Sequence, residues 1–251
     1  MLDTIYSNPW LTAVCINTIL LIVAWILPKK LLTTWGYLNA WILGVIVWGT
    51  LGWQGYGVVM FYFLMGSGVT KIGMAEKEAA GIAEARSGRR GPENVWGAAL
   101  TAAICALGTL LVNPEFKFLL VLAYVASFAT KLSDTAASEV GKAYGKRTFL
   151  ITTFKPVPAG TEGAVSLEGT VAGMVAAILI SFLSYSLDMI DGLGIIWCII
   201  AAFVATNIES LIGATWQTNT PWLTNEIVNF MNTAIGAIFA LGCAWVAVSF
   251  V

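Results

Sequence analysis

The chain alternates long apolar runs with short polar breaks, and the runs have the length that a membrane demands. A helix crossing the hydrocarbon core needs about 20 mostly apolar residues. Eight stretches suit that role, near 9–27, 35–52, 56–70, 95–112, 117–133, 168–187, 192–212 and 227–250. The second and third are separated only by Leu51-Gly52-Trp53-Gln54-Gly55, a glycine-bearing turn. The pattern predicts an all-α fold, a polytopic transmembrane helical bundle of about eight spans in one integral membrane domain over 1–251. The first run is expected to be a span rather than a cleaved signal, because no basic residue precedes it and Pro28-Lys29-Lys30 follows it. Trp10, Trp35, Trp53, Trp96, Trp197 and Trp222 stand near the ends of runs, where interfacial belts of tryptophan belong.

The polar breaks are unequal. Two long ones, 71–94 and 134–167, hold most of the basic residues, and in an eight-span layout Lys29 and Lys30 fall on the same side. The positive-inside rule makes that side the cytoplasm. Asp3, Glu115, Lys117, Asp188 and Asp191 fall on the opposite side, with both termini. Within the first long loop the alanine- and charge-rich stretch Lys71 to Arg86 predicts a short surface helix, broken by Ser87-Gly88-Arg89-Arg90-Gly91-Pro92 and placed to cover a site.

Composition sharpens this picture. Charged residues make up 11% of the chain against the roughly 25% usual in soluble domains, hydrophobic residues 58%, and the mean hydropathy is +0.82. Lipid is the solvent for most of the chain. With 13 basic and 14 acidic residues there is no large positive field, which excludes a nucleic-acid partner. Cys15, Cys105, Cys198 and Cys243 lie in apolar runs without CxxC spacing and read as small buried hydrophobes. The absence of histidine rules out a Ser-His triad, a histidine metal site and a histidine base. Any metal must be held by oxygen.

Chemistry gathers in three places. Continued as a helix, the end of the fifth run sets Ser127, Lys131, Asp134, Ser138, Gly141 and Gly145 three or four residues apart, on one narrow stripe. Glu139, Lys142 and Lys146 lie roughly a third of a turn away, so Asp134 and Glu139 need not share a ligand directly. Helix packing through Gly141 and Gly145 accounts for the glycines; it does not account for Lys131 and Asp134 at membrane depth, where ionisable residues are costly and mark function. Next, Lys155 precedes Glu162-Gly163 and Ser166-Leu-Glu168-Gly169, with helix capping as the plain alternative for Ser166. Third, Asn207, Glu209 and Ser210 are joined by Asn225, Asn229 and Asn232, a stripe at i, i+4 and i+7 that suits a polar ligand. The run Gly141-Lys-Ala-Tyr-Gly145-Lys146-Arg147 is not a P-loop.

These residues resemble a known family, the membrane phytyl-phosphate kinases of the tocopherol pathway and their transmembrane relatives. The resemblance covers most of the chain and is carried by Ser133-Asp134-Thr135 through Gly141, by Gly160-Thr161-Glu162-Gly163 through Thr170, and by Asn207-Ile-Glu209-Ser210-Leu-Ile-Gly213. More distantly the chain looks like the polyprenol kinases, matching at Asp134, Gly141, Gly145, Lys146, Glu168, Gly169 and Thr170; where those have a lysine just before Ser166, Val165 stands here and Lys155 is the substitute. The resemblance implies phosphoryl transfer from a nucleotide, CTP by analogy, to an isoprenyl monophosphate such as phytyl phosphate. An acceptor that is already anionic needs no strong base, so Mg²⁺ and basic side chains suffice. On this expectation Asp134, Glu139, Glu162 and Glu168 hold metal, and Lys131, Lys142, Lys146 and Lys155 meet phosphates. Asp134, Glu139, Lys131 and Lys142 are the catalytic set; Ser138, Ser166, Asn207, Glu209, Asn225, Asn229 and Asn232 bind nucleotide or headgroup. A lipid or isoprenoid transporter and a CTP-dependent cytidylyltransferase acting on a lipid phosphate are the rival readings.

Overall fold

The computed structural model describes residues 8–28, 30–217 and 220–249. Lys29 and Asp3, used above to orient the chain, lie outside the described residues. Eight α-helices follow in order: α1 Pro9–Ile26, α2 Thr34–Thr70, α3 Met74–Ala79, α4 Pro92–Gly108, α5 Lys117–Tyr144, α6 Leu167–Ser186, α7 Gly192–Thr215 and α8 Asn225–Ser249. Between α5 and α6 the strands β1 Thr148–Leu150 and β2 Ala164–Ser166 pair antiparallel, Phe149 opposite Val165. Six of the helices are long and apolar enough to cross a membrane.

Six long helices and eight expected spans are reconciled by α2. Its 37 residues would measure about 55 Å as a straight helix, nearly twice the thickness of the hydrocarbon core. At Gly52 the backbone takes φ 66° and ψ −161°, a region essentially reserved for glycine. There the helix doubles back. A β-carbon on Gly36 would touch the Arg90 carbonyl oxygen and one on Gly66 would touch the Arg90 guanidinium, so residues thirty positions apart flank one arginine. Each arm of α2 is therefore a span, as the sequence predicted. The eighth pass is α4, whose 17 residues match the lower limit for a span.

The most apolar stretch of α5 is 67% buried within the protein, that of α1 only 11%. The first is the axis of the bundle and the second its periphery. Around α5 pack α2, α4, α6, α7 and α8, and Tyr124, Val125, Phe128 and Leu132 form the centre of the core. The tightest approach is to α6. A β-carbon on Gly169 would come within 2.5 Å of the Ala137 carbonyl oxygen and one on Gly173 within 2.9 Å of that of Ser133, a small-residue contact of the kind membrane helices use. Asn8, Thr33, Ser166 and Asp191 cap the N-termini of α1, α2, α6 and α7. All four cysteines are free.

Two loop boundaries differ from expectation. The loop anticipated over 134–167 begins only after Tyr144, because α5 stays helical through its charged stripe. The charge-rich helix anticipated from Lys71 to Arg86 is the single short α3. It stops before Gly81, which has positive φ, and a 3-10 turn at Ala85–Gly88 follows. Nor is α3 a freely solvated helix: Lys77 is buried and donates to the Thr70 carbonyl while pairing with Glu139 of α5.

Candidate active site

At one end of the bundle the last turns of α5 and α7 meet the first turns of α4, α6 and α8, and the segments 84–90 and 160–166 close over them. They enclose a cavity of about 490 Å³. Its floor is built on α5. Lys131 Nζ donates to Asp134 Oδ2 at 2.5 Å and to Asn229 Oδ1 of α8 at 2.6 Å, so the two interior charges neutralise each other and are tied to a second helix. All three residues are less than one tenth exposed. On α7, Glu209 lines the same cavity, and its carboxyl is in electrostatic range of Asp134, Lys131 and Glu162.

Glu139 occupies a separate corner. It pairs with Lys77 from α3 and, at 3.7 Å, with Lys142 one turn along α5. Asp134 and Glu139 thus serve different ion pairs, in line with their angular separation on the helix. Ser166 caps α6, its Oγ accepting from Gly169 N at 3.1 Å; the capping alternative holds for it, although it also lines the cavity.

Of the residues singled out from sequence, the cavity wall includes Lys131, Asp134, Ser138, Glu139, Lys142, Glu162, Ser166, Asn207, Glu209, Asn225 and Asn229. Lys146, Lys155 and Glu168 stand outside that wall. The two lysines are exposed on the β1–β2 connection and its approach, while Glu168 is half-buried in the first turn of α6. Asn232 lies a turn deeper than Asn229, fully buried, and neither its amide nitrogen nor its oxygen has a hydrogen-bond partner. The wall also contains residues that the sequence did not single out as binding groups: Arg86, Arg89 and Arg90, from the segment expected to cover a site, and Glu226 from α8. Adjacency of Arg89-Arg90 to a helix-opening Gly91-Pro92 was the available signal.

The cavity lining holds no histidine or cysteine, so its carboxylates and amides are the donors it offers a hard cation. Two neighbouring carboxyls repel unless a proton or a cation offsets their charge, and Asp134 and Glu209 are in electrostatic range of each other on the cavity wall. Among the described residues no three acidic or cysteine groups form a complete cage; Mg²⁺ commonly takes only one or two carboxylates and completes its shell with phosphate oxygens and water.

Comparison with known proteins places the chain. Residues 17–237 match the family described as integral membrane protein DUF92. The chain belongs to this family. An uncharacterized membrane protein of Synechocystis sp. is 63% identical over 93% of this chain and 91% of its own. Protein VTE6, chloroplastic, of Arabidopsis thaliana is 41% identical over 94% of this chain and 72% of its own. An uncharacterized membrane protein of Methanocaldococcus jannaschii is 32% identical over 82% and 83%. No solved structure matches significantly. The DUF92 match and these relatives agree with the resemblance drawn from the sequence motifs, and they make the chain a multi-pass integral membrane protein.

Proposed function

We propose that this chain is a membrane phosphotransferase that moves a phosphoryl group from a nucleoside triphosphate, CTP by analogy with polyprenol kinases, to an isoprenyl monophosphate such as phytyl phosphate. The observation that carries the reading is the cavity itself, where carboxylates and cations converge at one end of an apolar bundle, with Lys131, Asp134 and Glu209 at its floor. A transporter would place its polar site near the bilayer midplane on broken helices. Here, among the described residues, the one helix break outside the loops, Gly52, is a hairpin turn at the other end of the α2 arms from Arg90 and the cavity.

In the transfer an oxygen of the acceptor phosphate bonds to the γ-phosphorus, the bond from that phosphorus to the β,γ-bridging oxygen breaks, and the nucleoside diphosphate leaves. The acceptor oxygen is already anionic, so no side chain has to take a proton. What the protein supplies is position and charge. Asp134 and Glu209, with Glu162 at the rim, are the residues that would hold Mg²⁺, which when bound neutralises charge on the transferred phosphoryl group. Arg86, Arg89 and Lys142 offer donors to phosphate oxygens. Lys131 orients the Asp134 carboxylate and is itself held by Asn229. Asn207 and Asn225 add amides to the cavity wall. The positive-inside pattern puts this end of the bundle in the cytoplasm, where nucleotide is available.

The test is a product assay on purified protein in detergent with phytyl monophosphate, Mg²⁺ and each nucleoside triphosphate in turn. Phytyl diphosphate appearing with CDP is the expected result. Pyrophosphate with a CDP-linked lipid would instead identify a cytidylyltransferase, and no turnover with any donor would favour a transporter.

A further inference from the structure

A second cavity, about 310 Å³, runs between α1 and the arms of α2. Its walls are apolar, among them Leu21, Ala24, Ala40, Leu43, Val59 and Phe63. On its outer side stand Leu20, Val23 and Leu27, exposed on the flank of the most peripheral helix, so the groove faces the bilayer. Tyr62, Arg90, Asn94 and Ala98 belong to the walls of both cavities. The apolar groove and the polar cavity therefore share a wall that includes Arg90.

That arginine is rigidly held. Its N donates to the Leu31 carbonyl and its own carbonyl accepts from Thr33 N, each at 3.0 Å. Its Nη1 donates to Tyr62 Oη at 2.7 Å and the guanidinium lies 5.2 Å from the Tyr62 ring centroid. The guanidinium packs where a β-carbon on Gly66 would stand. Lys77, Lys131, Lys142 and Arg86 have carboxylate partners; among the described residues no carboxylate lies within ion-pair distance of Arg90. A fixed guanidinium without a counter-charge, at the mouth of a lipid-facing groove, is complementary to an anionic head on an apolar tail.

We propose that the groove between α1 and α2 holds the isoprenyl tail of the acceptor and that Arg90 binds its phosphate. The identity of the ligand rests on the proposed reaction; the location rests on the wall that the two cavities share and on Arg90, which has no carboxylate partner among the described residues. The acceptor then reaches Arg90 sideways from the lipid, and the nucleotide occupies the polar cavity from the water side.

The experiment is photolabelling of the full chain in detergent with an isoprenyl monophosphate that carries a diazirine in its tail. Labelled peptides are expected from α1 and α2, and excess phytyl monophosphate should suppress the labelling at least tenfold more effectively than phytol. Arg90→Met should abolish that preference for the phosphate, and Arg90→Lys should restore part of it. In the assay, Ala40→Trp, which fills the groove, should lower kcat/KM for the twenty-carbon phosphate at least tenfold relative to a five-carbon one. Label confined to α6, α7 and α8, or label displaced equally well by phosphatidic acid, would overturn the assignment, as would a phosphate preference intact in Arg90→Met. Labelling does not depend on turnover. Competed label in α1 and α2 without any product would therefore sink the kinase reading and leave the groove, whereas turnover with label elsewhere would do the reverse.

Discussion

Asp134 and Lys131 are the residues on which the site turns. Lys131 bridges a carboxylate and an amide in the interior, so each partner depends on it. Removing one member of a buried ion pair strands the other, at about 3–5 kcal/mol. Lys131→Met is accordingly expected to lower the unfolding midpoint in detergent sharply, by circular dichroism, while Asp134→Asn, which keeps an oxygen for Lys131 and leaves the Glu209 charge in range of it, should lower it less. The same Asp134→Asn variant loses the charge in electrostatic range of Glu209. Its turnover in the product assay should fall about a hundredfold or more, the scale on which preorganised electrostatic groups act. Full activity in that variant would remove Asp134 from the metal assignment. Asn232 was expected beside Asn229 as a binding residue; set a turn deeper with an unpartnered amide, it bears on interior packing rather than on the cavity wall.

At the level of elements, two helices owe their shape to a few contacts. Gly52 turns α2 into two spans in a backbone region that other residues enter at about 1–3 kcal/mol. Gly52→Ala should therefore destabilise the protein by about that amount in a detergent melt, without altering the cavity, which lies at the other end of the arms. The short helix α3 is held to α5 by the buried pair Lys77–Glu139 and by the Lys77 bond to the Thr70 carbonyl. Lys77→Met leaves Glu139 with only the longer contact to Lys142. Limited proteolysis should then cut faster within 80–90 than in the unmodified chain. Equal cutting rates would mean that other contacts suffice to seat α3.

Sidedness is a property of the whole molecule. The basic loops, the cavity and the segment 84–90 occupy one end of the bundle, and the positive-inside rule assigns that end to the cytoplasm. A cysteine placed at Arg89 in a chain with its four cysteines replaced should react with a membrane-impermeant maleimide from the cytoplasmic side only. One placed at Asp188, after α6, should react from the other side only. The reverse pattern would invert the topology and put the nucleotide site out of reach of cytoplasmic CTP.

The sequence by itself determined the class of the fold and the position of its spans, because the cost of burying peptide groups in hydrocarbon leaves helices as the solution for an open chain of such apolar runs. It singled out Lys131, Asp134, Glu209 and Asn229 for the same reason: ionisable and amide groups at membrane depth are expensive enough to stand out from their neighbours. It marked Gly52 as a turn through local backbone chemistry. Only the tertiary structure decided which charges pair. Nothing local couples Lys77 to Glu139 across 62 positions or sets Tyr62 under Arg90 across 28; those partners follow from how α3 and the α2 hairpin fold against α5 and α4. The same packing left Lys146, Lys155 and Glu168 outside the cavity and brought Arg90 into it. Charge can be read along a chain, but the direction a side chain faces depends on helices that are distant in sequence.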